Sequence, residues 1–374
     1  MTSHRSPSGV GRSRAFALTA LAALTFIGAI WVGSASFFAT QSPGGPLSSP
    51  DALFTIQRPV THENLAIYLV HGPATDGQDY ITLDEGLAAR TVSVREKGSR
   101  TGRDQAEVNS LEIENRSDKW LFLQAGDIVE GGKQDRTIMT DVVLAPHGGP
   151  QPLDAFCVEH GRWTPSRDGL AFSGNPGIVA GARLKRAIQS EKNQQRVWQE
   201  VAETEAKAVT TARAAGAPIT VNFSGTGTYN AIGDNKVIGV RRDAYVAALL
   251  PHIRKDSKAI GLAVAVNGQV TAADVYTSPA LFQRLSAKLL GSYALEALLA
   301  RGAQQQLPAP GTKEVLAFLS KPAAANPSTE RVGASVHRAT RETDEAVMYE
   351  YGRIDGTPKG TPAVVVVHQS YLKK

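Results

Sequence analysis

The sequence predicts an α+β fold. Its first half is strand-rich, a sandwich-like or bent antiparallel sheet; covering helices and a β-hairpin followed by a helix make up the second half. Three observations carry this reading. Short apolar or alternating runs separated by turn residues crowd residues 64–158. Asn267-Gly268 joins two apolar-rich runs at the spacing of a two-residue type I′ hairpin, a turn in which both central residues need φ > 0. Spacings of three and four residues replace alternation over 183–208 and again after Ser278. With 374 residues, 42% hydrophobic and 20% charged, the chain can bury a sizeable core.

In order along the chain, 64–70 is one apolar run, 91–95 and 111–114 alternate, and Asn115-Arg116-Ser117-Asp118 marks a turn. Trp120-Leu121-Phe122-Leu123 has the pattern of a strand buried on both faces. Residues 137–145 and 155–158 continue the strands, and a Gly/Pro-rich loop covers 164–182. A helix is expected over 183–208 with Val197, Trp198 and Val201 on one side, and a short one over 242–253 beyond a turn-rich stretch at 222–234. The hairpin strands are 259–266 and 269–276. Ser278 then caps a helix with Pro279 at its first position; Phe282, Leu285, Leu289 and Tyr293 line one face, and Gly302 ends it. A Pro/Ala/Ser-rich linker over 321–330 leads to a last strand at 364–367.

The formal net charge is +5. Arg5, Arg12 and Arg14 all precede the first apolar stretch, which leaves the remainder near neutral, and no Lys/Arg stripe is interleaved with aromatics; no nucleic-acid partner is expected. Residues 15–33 carry no charge, and none follows until Asp51. The stretch reaches the roughly 18 apolar residues that a spanning helix needs, and the basic residues before it favour an N-terminus left in the cytoplasm. The expected organisation is a basic cytoplasmic segment (1–14), a transmembrane anchor or signal segment (15–35) and a linker (36–52). A single domain follows (53–320), then a linker and C-terminal strand packing on it (321–374). The body is placed outside the cytoplasm on a single-pass anchor. The alternative is a secreted or periplasmic protein cleaved near Ala35. The one cysteine, Cys157, cannot form an internal disulfide and reads as a buried small hydrophobe.

Chemistry concentrates in two segments, Glu130-Gly131-Gly132-Lys133-Gln134-Asp135-Arg136 and Cys157-Val158-Glu159-His160-Gly161-Arg162-Trp163. The first is not a nucleotide-binding P-loop: the spacing from Gly126 is one residue too long, Gln134 stands where a Ser or Thr hydroxyl must meet Mg²⁺, and a strand-like run follows. It reads as a glycine-opened hairpin tip. There Gly131, Gly132, Lys133, Gln134, Asp135 and Arg136 are candidates for holding a phosphate or carboxylate, with Arg162 as a further donor and Trp163 as a flat wall. The alternative is a polar tip whose charges are solvated or paired. Glu130, Glu159 and His160 are the candidates for general acid/base work. Extended geometry puts Cys157 and His160 on opposite faces, against a catalytic thiol. Asp274, inside a hairpin strand, is expected to face solvent. No metal motif is present and no cofactor is expected.

These segments, with 80–86, 263–276 and 289–298, resemble the family of the ARG and rhodanese-phosphatase-superfamily-associated protein domain. The resemblance implies a role near NAD- or ADP-ribose-derived metabolites, with Lys133 and Arg136 on a phosphate and Trp163 on a ring. The expected function is an exported, membrane-tethered domain binding a small anionic ligand such as a nucleotide, an ADP-ribose-like molecule or a sugar phosphate. Two alternatives stand beside it: a hydrolase-like enzyme using Glu130, Glu159 or His160, and a structural or interaction domain of the cell envelope.

Overall fold

A computed structural model describes residues 53–97, 109–166, 169–216, 227–301, 307–355 and 363–374. The expected N-terminal anchor and linker, and the Gly302 helix stop, lie outside these residues. Among the described residues, no helix is long and apolar enough to cross a membrane.

The fold is α+β. Its frame is a nine-stranded antiparallel sheet built from both ends of the domain. The N-terminal end supplies β1 (Thr55–Ile56), β2 (Val60–His62) and β3 (Leu65–His71). Between these and the rest of the frame, the chain leaves for two smaller sheets. One holds β4 (Tyr80–Thr82), β7 (Trp120–Leu123) and β10 (Val142–Leu144). The other holds β5 (Val92–Glu96), β6 (Ser110–Asn115), β8 (Ile128–Gly131), β9 (Arg136–Ile138), β11 (Gln151–Cys157) and β12 (Phe172–Gly174). The frame then resumes with β13 (Gly261–Val266), β14 (Gln269–Tyr276), β15 (Ser328–Val332), β16 (Val336–Glu342), β17 (Ala346–Asp355) and β18 (Ala363–Lys373), in the order β1-β3-β13-β14-β18-β17-β16-β15, with β2 also on β3. Asn267 and Gly268 take φ of 50° and 75°, as a type I′ turn requires.

The helices are α1 (Leu83–Ala88), α2 (Ala182–Arg186), α3 (Gln194–Ala214), α4 (Tyr229–Asp234), α5 (Lys236–Lys255), α6 (Pro279–Leu299) and α7 (Thr312–Ala323). The frame is covered on both faces, which is why its central strands are apolar runs and do not alternate. Leu65, Ile67 and Leu69 of β3 pack with Leu281, Phe282 and Leu289 of α6. Ala66, Tyr68 and Val70 point the other way, to Val315 and Leu319 of α7. A third cluster, with Val94, Ile113, Leu121 and Leu153, holds the smaller sheets.

Several expectations need correction. The run 137–145 is two strands, β9 and β10, in different sheets. The helix expected over 183–208 is interrupted: α2 continues into a single π turn (Ala187–Glu191), Lys192 turns left-handed at φ 48°, and α3 starts afresh on an Asn193 cap. The linker expected over 321–330 contains the end of α7 and the start of β15, and four strands follow 327 where one was expected.

Candidate functional site

The two chemistry-bearing segments meet. Backbone pairing of β9 with β11 sets Cys157 opposite Arg136, and the N–H of Val158 donates to the carbonyl of Asp135. The β8–β9 turn needs glycine: Gly132 has φ 47°, and a Cβ there would lie 2.2 Å from the Phe172 ring. Side chains then lock the turn from outside. Glu159 accepts the N–H of Asp135 at 3.0 Å and two N–H groups on one edge of the Arg162 guanidinium, Nε at 2.8 Å and Nη2 at 2.6 Å. Arg162 also donates to the carbonyls of Gly131 and Gly132. Asp135 accepts from Gly131 N–H, Thr228 and Asn230.

The expectation of an open tip presenting two cations is therefore corrected. Arg136 is 0% exposed; it donates to the carbonyl of Gln134 and pairs with the buried Glu96 at 3.5 Å. Lys133, Gln134 and Asp135 are buried too. Lys133 and Arg136 lie 5.3 and 5.7 Å from the Trp163 ring centre, so the indole covers them while 43% of its own surface stays exposed. Nor do the three acid/base candidates form a group. Glu159 is consumed by Arg162, and His160 is exposed with its ring edge-on to Trp198. Glu130 accepts from Asn175 at 2.7 Å. Its carboxyl is pushed up to about 7, mainly by burial, with Asp135, Asp234 and Asp84 adding to the effect against the Asn175 hydrogen bond. Cys157 is wholly buried, and burial pushes its thiol up.

A second ionic system was not legible in the sequence. Asp274, expected to face solvent, is fully buried. It accepts from both Lys185 Nζ (3.2 and 3.3 Å) and the Tyr293 hydroxyl, and it meets His368 Nε2 at 3.2 Å. His368 Nδ1 reaches Asp141 at 2.6 Å, and the imidazole stacks on Tyr276 at 4.4 Å. Burial opposes charge on His368, but Asp141 and Asp274 outweigh it and push the imidazole up to about 9. Burial also opposes charge on Asp274, which Lys185, His368 and Tyr293 nevertheless hold well below the usual carboxylate range. A parallel set joins Lys288 of α6 to Asp84 and Asp127, each at 2.7 Å. Among the described residues, no group of three His, Cys, Asp or Glu side chains is arranged to hold a metal ion.

A cavity adjoins this system. It has a volume of about 470 Å³ and lies where α2, α3, α6 and the ends of β13, β14 and β18 come together. That size suits a small-molecule site. Leu184, Val266, Leu295 and Leu299 make apolar wall; Arg183, Arg186, Lys207, Lys373 and Lys374 bring positive charge. Arg183 is held by Glu200 and Glu203, whereas Arg186 and Lys207 form no ion pair among the described residues. Of the described lining residues, Glu296 is the one carboxylate. It accepts the backbone N–H of Ala182 in a short hydrogen bond. A side chain on Gly181 would put its Cβ 2.6 Å from Glu296 Oε1, so the loop approaches the carboxyl closely. Burial pushes Glu296 up to about 7, against the Ala182 N–H and Lys185. Lys185 thus faces Asp274 directly and acts on Glu296 through space, linking the cavity wall to the buried ionic system.

Comparison with curated proteins and with solved structures finds no match. The family model of the ARG and Rhodanese-Phosphatase-superfamily-associated Protein domain matches residues 54–366, which takes in the locked turn, the frame up to the start of β18 and the cavity lining apart from Lys373 and Lys374, and the chain belongs to that family.

Proposed function

We propose that this domain binds a small anionic ligand, and that the ligand sits in the cavity beside α6 and not on the glycine turn. The observation that carries the reading is the pair Arg186 and Lys207, uncommitted to ion pairs among the described residues, on the rim of an apolar-walled cavity of about 470 Å³. Cations at the turn are covered or spent; cations at the cavity are available. The test is a thermal-shift and calorimetric screen with AMP, ribose 5-phosphate, inorganic pyrophosphate and butane-1-sulfonate. Arg186→Ala with Lys207→Ala loses at least tenfold in affinity, and Trp163→Ala keeps binding. Binding lost in Trp163→Ala and intact in the double variant would return the site to the turn. The apolar segment 15–33 is proposed to tether the body outside the cytoplasm; a mature protein beginning near Ser36 would exclude the tether.

A hydrolase-like reading retains one supporting observation, the Glu130 carboxyl pushed up to about 7 and hydrogen-bonded by Asn175. It narrows the acid/base role to Glu130, because Glu159 is bound by Arg162 and His160 contacts Trp198. On any substrate found, Glu130→Gln lowers kcat by about 10²-fold or more if Glu130 transfers the proton; unchanged turnover removes the reading.

A further inference from the structure

We infer that the cavity takes an amphiphilic anion, one anionic head on an apolar body, and that the head draws a proton onto Glu296 as it binds. This rests on the cavity being the ligand site and goes further, to the ligand's class and to what binding does.

The wall selects the body. Leu184, Leu295, Leu299 and Val266 offer only carbon. The one aromatic residue there, Tyr229, is buried and its hydroxyl already accepts the N–H of Gly181. A sugar or a base would lose hydration over most of such a wall, where the other side-chain hydroxyls are those of Thr204, which donates to the Glu200 carbonyl, and Thr271; an alkyl or similar body loses nothing. Arg186 and Lys207 stand where the head would sit.

The proton goes to Glu296. Its neighbours from each packed element are known. Lys185 of α2 and Lys207 of α3 favour its charge, and Asp274 of β14 opposes it. Tyr293 of α6 and Tyr229 of α4 are held neutral beside it. The rim cations Arg183, Arg186, Lys373 and Lys374 complete the set. The Ala182 N–H fixes the carboxyl in the wall, so it cannot swing away when an anion arrives. A like charge in the same cavity disfavours ionisation. Since Glu296 sits near 7 without ligand, the anion shifts it further up and protons are taken from solvent at neutral pH.

The test is calorimetry of the full chain with butane-1-sulfonate, whose head does not titrate in this range, in two buffers of different ionisation enthalpy at pH 7.5. Inorganic sulfate and ribose 5-phosphate are the comparison probes. The expected result is about tenfold tighter binding of butane-1-sulfonate than of either comparison probe. Heats should differ between the buffers by roughly half a proton or more per ligand, and affinity should fall as pH rises from 6 to 8. Glu296→Gln gives equal heats in both buffers and binds more tightly than wild type at pH 8. If that variant does not fold, the buffer dependence and pH profile of the wild type decide alone. Ribose 5-phosphate binding as tightly as butane-1-sulfonate would overturn the amphiphile, and equal wild-type heats would overturn the proton uptake. No binding of any anion would overturn the ligand site itself.

Discussion

At the scale of single residues, charge in this protein is buried far more than its sequence pattern suggests. Asp274 sits in a strand whose neighbours are small and apolar, and nothing local announces that Lys185, Tyr293 and His368, distant in sequence, converge on it. Arg136 is similar: its partner Glu96 lies 40 residues earlier and on another strand. By contrast Cys157 was legible, because a lone cysteine on an apolar strand has few other roles. The imidazole of His368 makes a pH-dependent prediction. Its pKa is raised from 6.5 to about 9 in the folded state. Its stabilising contribution is therefore fully present below pH 6.5 and is lost as pH rises through about 9. The loss is on the order of 3 kcal/mol. Urea unfolding followed from pH 6.5 to 9.5 should show this decline in wild type and not in His368→Asn. A wild-type stability that is flat over that window would show the imidazole to be neutral.

At the scale of elements, the hairpin of β13 and β14 and the start of α6 were readable because turn and cap chemistry is local: Asn267-Gly268 and Ser278-Pro279 specify their own backbone. The break between α2 and α3 was not, because residues 183–208 keep helical spacing through it. What ends the first helix is tertiary. The π turn aims Gln189 at the Tyr351 hydroxyl and Ser190 at Tyr349, and Lys192 pays with a left-handed backbone. On α2, just before the π turn, Lys185 is buried while Arg183 and Arg186 line the cavity. Lys192 is exposed apart from a surface pair with Glu330, so Lys192→Gly should relieve the backbone and raise stability by about 0.5–1 kcal/mol in chemical denaturation. A loss of stability would mean that the lysine side chain matters more than its φ.

At the scale of the whole molecule, the α+β class followed from patterning, whereas the closure of one sheet by both ends of the domain did not. β3 pairs with β13 across some 190 residues of intervening chain, and periodicity carries no information about such distant partners. That closure is also what makes the cavity. β18 returns to β14 and brings Lys373 and Lys374 to a space otherwise built from α2, α3 and α6. The two motifs that stand out in the sequence meet, but they meet as a hydrogen-bonded lock, with Glu159 and Arg162 holding the turn shut. The lock faces Trp163 outward, and the uncommitted cations lie elsewhere.

The most direct measurement is therefore the position of a bound anion. A crystal of the protein soaked with 2-bromoethanesulfonate, with data collected at the bromine absorption edge, locates the ligand independently of any affinity argument. An anomalous peak is expected inside the cavity, with the sulfonate beside Arg186 and Lys207. A peak against Trp163 and Arg162, with the cavity holding none, would contradict it.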